Sequence, residues 1–221
     1  MPGPSVEPSV EPSVEWSVEL SRSVLILECS HRAGGNSDAA AELVARGVRE
    51  AGGEARVVAL RDYNVLACLA CRACAKDKKS ACVLRKKDQA EELFALLLAA
   101  PSVVFCSPVY FYALPSLCKT WIDRSQRFWE ARRKGDAWLL QYPERQGFAC
   151  LVGGQPMGQK LFDGARLTLK YFLVNFAMTL AEPVGFRGKD ERGDLLADPL
   201  AVDRALALGR EAWAAAQGAL K

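Results

Sequence analysis

Two stretches of this 221-residue chain carry side chains whose types and spacing could do chemistry. The first is Ser30 to Ser37, S-H-R-A-G-G-N-S. Ser30, Asn36 and Ser37 offer hydroxyl and amide donors, Arg32 offers a charged fork, and Gly34 and Gly35 let the backbone approach a ligand closely. Neither G-x-x-x-x-G-K-[ST] nor G-x-G-x-x-G is present, so a single phosphate group is the better guest than a polyphosphate or a dinucleotide. The competing reading is an ordinary strand-to-helix connection. The second stretch holds Cys68, Cys71 and Cys74 at two-residue gaps, with Cys82 after seven more residues. Thiolates this close can wrap three corners of an iron–sulfur cube, and the K-D-K-K-S segment can bring in the fourth. Structural zinc more often uses two separated C-x2-C pairs. A cysteine-rich turn without a metal is the competing reading. Lys76, Lys78, Lys79, Arg85, Lys86 and Lys87 surround the run, and their charge favours thiolates. The single His31 supports neither Cys-His nor Ser-His-Asp catalysis, and no H-E-x-x-H or paired-carboxylate pattern occurs, so no side chain is assigned a catalytic role.

The elements that must position these residues follow from periodicity. The first six residues of Ser23–Ser37 read as a buried strand, and Asp38 to Ala51 as a helix with Asn36 or Ser37 as its N-cap. Exposed N–H groups and the positive end of the dipole at such a helix start suit a phosphate. Further strands are expected at Glu54–Leu60, Ser102–Cys106, Gly147–Val152 and near Leu180–Phe186. Helices are expected at Lys87–Ala99, Pro115 to about Arg133, Gln159–Phe176 and Pro199 to about Leu220. Five strands alternating with helices imply parallel βαβ units with helices on both faces, and such sheets bind ligands at the carboxyl ends of their strands. Ser30–Ser37, the S-P-V-Y-F-Y run Ser107–Tyr112, and Gly153-Gly154 all fall on that edge. Pro108, Val109, Tyr110, Phe111 and Tyr112 offer a surface on which a flat ring can stack, with core packing as the alternative for the aromatics. Residues 127–146 are a basic, aromatic connection, read as a lid, a subunit contact or a charged surface loop.

Composition bounds the rest. Half of the residues are hydrophobic, and no apolar run reaches the length of a membrane span. The N-terminus has neither a basic nor an apolar leader region, so a cytoplasmic protein is expected, with no membrane partner. Residues 4–15 are three copies of P-S-V-E, and the first twenty residues carry four Glu and no Lys or Arg. The remainder has 29 basic residues against 22 acidic, a net of +7, which suits anionic cofactors but is too weak to argue for nucleic acid. Residues 1–20 read as a solvated extended tail, or an arm anchored by Trp16 and Leu20, and residues 21–221 as one domain. Cys29, Cys106, Cys118 and Cys150 fall on apolar elements and are expected to be buried and inert.

The two loops together resemble a known family. S-H-R-A-G-G-N-S is similar to the G-S-P-R-x-G-G-N-[ST] loop of flavodoxin-like NAD(P)H-dependent FMN reductases. S-P-V-Y-F followed by L-C-K-T-W-I-D-R is similar to that family's S-P-V-Y-[FW] loop and L-K-x-[FW]-I-D-R helix. The likeness runs from about Val24 to Ile122. Cys29, His31 and Tyr112 depart from it, standing where Gly, Pro and Gly are usual. The resemblance implies a flavodoxin-like doubly wound α/β fold and an FMN. Its phosphate would lie on Ser30, Arg32 and Asn36 to Ser37, and its ring against Pro108 to Tyr112. The C-x2-C-x2-C-x7-C run resembles the motif of the iron–sulfur flavoprotein branch, which implies a [4Fe–4S] cluster on Cys68, Cys71, Cys74 and Cys82. The expected function is a flavin oxidoreductase taking hydride from NAD(P)H, or electrons from ferredoxin, and passing them to an acceptor. The alternative is a flavodoxin-like electron carrier with no small-molecule substrate of its own. The apolar long helix suggests a homodimer or homotetramer.

Overall fold

The computed structural model describes residues 20–221, so the reading of the P-S-V-E repeat as a tail lies outside the described residues. In chain order the elements are β1 (Ser23–Glu28), α1 (Asn36–Glu50), β2 (Glu54–Ala59), α2 (Ala73–Lys76), α3 (Ala90–Ala99), β3 (Ser102–Pro108), α4 (Ser116–Asp123), α5 (Gln126–Lys134), α6 (Ala137–Leu140), β4 (Arg145–Val152), α7 (Asp163–Leu173), β5 (Met178–Leu180), β6 (Val184–Phe186) and α8 (Pro199–Ala219). All strand pairings are parallel, in the order β2-β1-β3-β4-β5, with β6 also on β4. The expected fifth strand is therefore interrupted at residues 181–183. β5 pairs with the first half of β4 and β6 with its second half.

The central strands are apolar on both faces because both faces are covered. Leu25, Leu27, Val103, Phe105, Ala149 and Leu151 point into a core shared with α3, α4, α5 and α7. Val24, Ile26, Val104, Cys106, Phe148 and Cys150 alternate into the other, under α1 and α8. This is the doubly wound flavodoxin-like sheet. Helices α1 and α8 cross at glycines: a Cβ on Gly47 would lie 2.1 Å from the Leu206 carbonyl oxygen, and one on Gly209 2.1 Å from that of Val44. Asp198 caps α8, accepting from the N–H groups of Leu200 and Ala201, with Pro199 at its first position. On the opposite face Phe94 stacks on Trp121 at 5.1 Å and meets Phe128 at 4.7 Å, and Phe128 meets Phe176 at 4.7 Å. Such ring pairs add about 0.5–1.5 kcal/mol each beyond area burial and fix α3 against the α4–α5 corner.

Three boundaries differ from periodicity. Helix α1 begins at Asn36 with Gly35 as N-cap and no side-chain cap, so neither Asn36 nor Ser37 caps it. The expected helix from Pro115 to about Arg133 is two helices joined by a tighter turn, in which the N–H groups of Arg124 and Ser125 bond back three residues to Trp121 and Ile122. The connection over residues 127–146 is not a loop: it contains α5, α6 and the start of β4. Among the described residues no helix is long and apolar enough to cross a membrane.

Candidate functional site

The carboxyl ends of β1, β3 and β4 open onto one cavity of about 980 Å³. Ser30, Arg32, Gly35, Asn36, Ser37, Pro108 to Tyr112, Gly153 and Gly154 all line it, and of the predicted binding residues only Gly34 stands outside. At one end the first turn of α1 presents N–H groups that no side chain caps. Arg32 stands exposed beside them, and its N–H donates to Ser30 Oγ at 3.1 Å. Beneath the loop, Arg61 pairs with Glu28 at 2.6 Å and Asp38 at 3.0 Å, while Gly34 N–H donates to Asp38 at 2.7 Å. Arg61 thus offsets two carboxylates that would otherwise repel an anion. Burial, helped by Asp38, raises the Glu28 carboxyl above its ordinary value against the opposing pull of Arg61.

The Asn36 side chain has a different task from the one its motif suggests. Its Nδ2 donates to the carbonyls of Lys189 (3.0 Å) and Glu191 (2.8 Å), and its Oδ1 accepts from Leu195 N–H (3.2 Å). These bonds fasten residues 189–195 as a strap across the Ser30–Ser37 loop, joined by Arg192 to the Ala33 carbonyl at 3.0 Å. Asn36 still lines the cavity. Its side chain locks the cavity's far wall.

At the other end Tyr110, Phe111 and Tyr112 are 46%, 102% and 49% exposed, which excludes the core-packing reading. A bridge between Tyr110 and Ala113 closes their turn. Phe111 and Tyr112 hold φ of +50° and +64°, a left-handed backbone that costs a non-glycine residue energy and is typical of functional turns. Lys189, Asp190, Gln155, Ser116 and Lys119 also line the cavity, and sequence reasoning missed them. The signal was available: R-G-K-D, Arg187 to Asp190, follows the last strand, whose carboxyl end lies on the same edge. His31 brings Nε2 within 3.2 Å of Ser116 Oγ at the start of α4.

The four cysteines of the run line a second cavity, of about 530 Å³. Their loop bends sharply, with left-handed backbone at Ala70, Arg72 and Ser80. Alternation of this kind turns successive N–H groups to one side and makes concavities that suit anions, iron–sulfur clusters among them. Lys134 on α5 braces the loop from outside, donating to the carbonyls of Cys74 (3.2 Å) and Asp77 (2.7 Å) and to Ser80 Oγ (3.1 Å). Behind it lie two buried ion pairs, Arg124 with Asp88 and Arg127 with Glu91. Arg127 and Lys134, in the connection read as a lid, a subunit contact or a charged surface loop, brace the cysteine loop. The thiols share the cavity without converging: among the described residues no three His, Cys, Asp or Glu side chains are grouped to hold a metal ion. Burial, with the Cys82 charge second, raises the Cys74 thiol above its ordinary value. Cys29, Cys106, Cys118 and Cys150 are buried, as expected.

Helix α4 and the residue that follows it border both cavities. Ser116 and Lys119 line the first, Thr120, Asp123 and, just past the helix end, Arg124 the second, and all five fall on one stripe of the helical period. At 1.5 Å per residue the whole stripe spans about 12 Å.

Comparison with known proteins agrees with this fold. An iron-sulfur flavoprotein of Archaeoglobus fulgidus is 32% identical over 85 residues, which are 38% of this chain and 40% of that protein. The match thus spans less than half the length of that relative. Among solved structures, an NAD(P)H:quinone oxidoreductase from Methanothermobacter marburgensis superposes with a TM-score of 0.67 at 18% identity, covering 86% of this chain and 94% of that one. A flavone reductase gives a TM-score of 0.65 at 17% identity, covering 88% of this chain and 63% of that one. At these identities the likeness is one of fold. The sequence profile of the NADPH-dependent FMN reductases matches residues 22–146, a span that includes the Ser30–Ser37 loop, the cysteine run and S-P-V-Y-F-Y, and the chain belongs to that family.

Proposed function

We propose that the chain is a flavin oxidoreductase that binds FMN in the larger cavity, takes hydride from NAD(P)H, and passes electrons to an acceptor by way of a [4Fe–4S] cluster on Cys68, Cys71, Cys74 and Cys82. The observation that carries this reading is the α4 stripe, which borders both cavities within about 12 Å. Bound FMN would accept a hydride at N5 and release its two electrons one at a time, chemistry that belongs to the cofactor. The residues bind and orient. The uncapped start of α1, Ser30 and Arg32 suit the phosphate, and the backbone of Pro108 to Tyr112 with Gly153 and Gly154 suits the ring. Lys119 and Lys189 stand on the same rim, each paired with a carboxylate, Asp123 at 2.6 Å and Asp198 at 2.9 Å. For the cluster, the fit rests on four thiols in one concavity under a left-handed loop. The test is anaerobic reconstitution, counting iron, acid-labile sulfide and FMN per chain, followed by addition of NADH or NADPH. Rapid bleaching of the flavin supports a reductase, and a flavin indifferent to both nucleotides identifies an electron carrier instead. Serine at any of Cys68, Cys71, Cys74 or Cys82 should abolish stoichiometric iron and sulfide while FMN stays, whereas serine at Cys118 should leave both. An unmutated chain that takes up flavin but no stoichiometric iron and sulfide rules the cluster out.

A further inference from the structure

One residue of the cysteine cavity is held on one side and open on the other. Arg124 is 2% exposed and lines the cavity with all four cysteines. Its Nη1 donates to Asp88 and, at 3.0 Å, to the Leu66 carbonyl, and Leu66 N–H donates to the same Asp88 at 2.8 Å. The Asp88 side chain is 0% exposed, so this triangle fixes the guanidinium. Its Nε and Nη2 are buried, yet no acceptor among the described residues completes a bond with either. Buried N–H groups without acceptors are costly, and two on one rigid fork mark the place of an absent partner. Cys82 is the sulfur beside them and one of the groups that support the guanidinium charge.

We propose, resting on the cluster reading above, that Arg124 is a positioning residue that donates its two free N–H groups to sulfur on the Cys82 side of the cluster and so favours the reduced cluster. Reduction adds one electron, delivered from flavin that hydride transfer has reduced, and the added charge falls on the iron and sulfur atoms. N–H donors aimed at that sulfur stabilise the more negative state, the usual way surrounding residues raise a cluster's potential. Asp88 already offsets the Arg124 charge, so the directed donors rather than the net charge carry the effect.

The test uses the full chain, reconstituted anaerobically, in unmutated form and as Arg124→Lys. Lysine keeps a cation for Asp88 and loses the fork. Iron, sulfide and FMN are counted first. An unmutated chain without stoichiometric iron and sulfide defeats the cluster reading itself, before any variant is considered. With equal loading, the expected result is an equilibrium constant for cluster reduction about tenfold smaller in Arg124→Lys, a fall of about 59 mV in the one-electron midpoint potential, with the flavin potential unchanged. Equal loading with an unchanged cluster potential overturns the proposal and leaves Arg124 a structural brace. If Arg124→Lys keeps FMN but not the cluster, the paired change Arg124→Gln with Asp88→Asn, which removes both charges, carries the same measurement. Loss of the cluster there too overturns the tuning role.

Discussion

The phosphate-loop cavity and the cysteine cavity are built in opposite ways. The first is made of backbone: strand ends, an uncapped helix start and a strap tied down by Asn36. The second is a loop between β2 and α3 whose shape is imposed from outside by Lys134, Arg124 and Arg127. Apart from the strap that Asn36 ties down, sheet topology gives the first site its shape, whereas the second depends on several side chains distant in sequence. Rim substitutions should therefore act on ligands at the first site, and remote substitutions on order at the second.

The largest effect that probes this difference is at the phosphate loop. Arg32→Ala should weaken FMN roughly ten- to hundredfold, the range of a lost charge-assisted bond, and leave riboflavin binding nearly unchanged. Asn36→Ala should behave otherwise, lowering stability by about 1–3 kcal/mol and weakening both ligands together, because it frees the 189–195 strap. Titration of flavin fluorescence with the two ligands separates the cases. If Asn36→Ala discriminated against FMN as Arg32→Ala does, the strap would not be its main task.

A middle-sized effect is expected at the cysteine loop. Lys134→Met removes three bonds to it and should cost about 1 kcal/mol, with faster amide exchange confined to residues 74–82 and FMN affinity unchanged. Unaltered exchange protection there would show that the loop holds its shape alone.

The smallest effect concerns pH. The Glu28 carboxyl is raised above its ordinary 4.5, chiefly by burial, so the folded chain binds this proton more tightly than the unfolded chain. Stability contributed this way is present below about 4.5 and declines as pH rises through the raised folded value. Glu28→Gln should flatten the melting temperature across that window. Glu91, also raised by burial, keeps its own slope in the variant. An unchanged profile would mean that Arg61 already cancels the burial cost.

Much of the fold was legible because its causes are local. The apolar runs at Val24–Leu27 and Ser102–Cys106 and the stripe of α1 declare strand and helix by period alone. The parallel order followed from alternation, and with it the edge where Ser30–Ser37, Ser107–Tyr112 and Gly153-Gly154 meet. What stayed hidden depends on long-range partners. No Pro or Gly marks the turn at Arg124 and Ser125, where the buried Asp88 side chain and the Leu66 carbonyl hold the Arg124 side chain. Asn36 reads as a phosphate ligand in its motif, and only the approach of residues 189–195, more than 150 positions away, redirects its amide. The gap in the fifth strand and the bracing role of α5 likewise arise from tertiary contacts that no window of sequence contains.

The α4 stripe has a consequence for kinetic order. On the proposed reading, because Ser116 and Lys119 border one cavity and Thr120, Asp123 and Arg124 the next, electrons entering from a nucleotide and electrons leaving to an acceptor would have separate ports along α4 and its C-terminal end. An acceptor served at the cysteine end does not have to wait for the oxidised nucleotide to vacate the flavin. Turnover can then pass through a ternary complex, with intersecting rather than parallel double-reciprocal lines. A reductase with a single port over its flavin must alternate its two substrates.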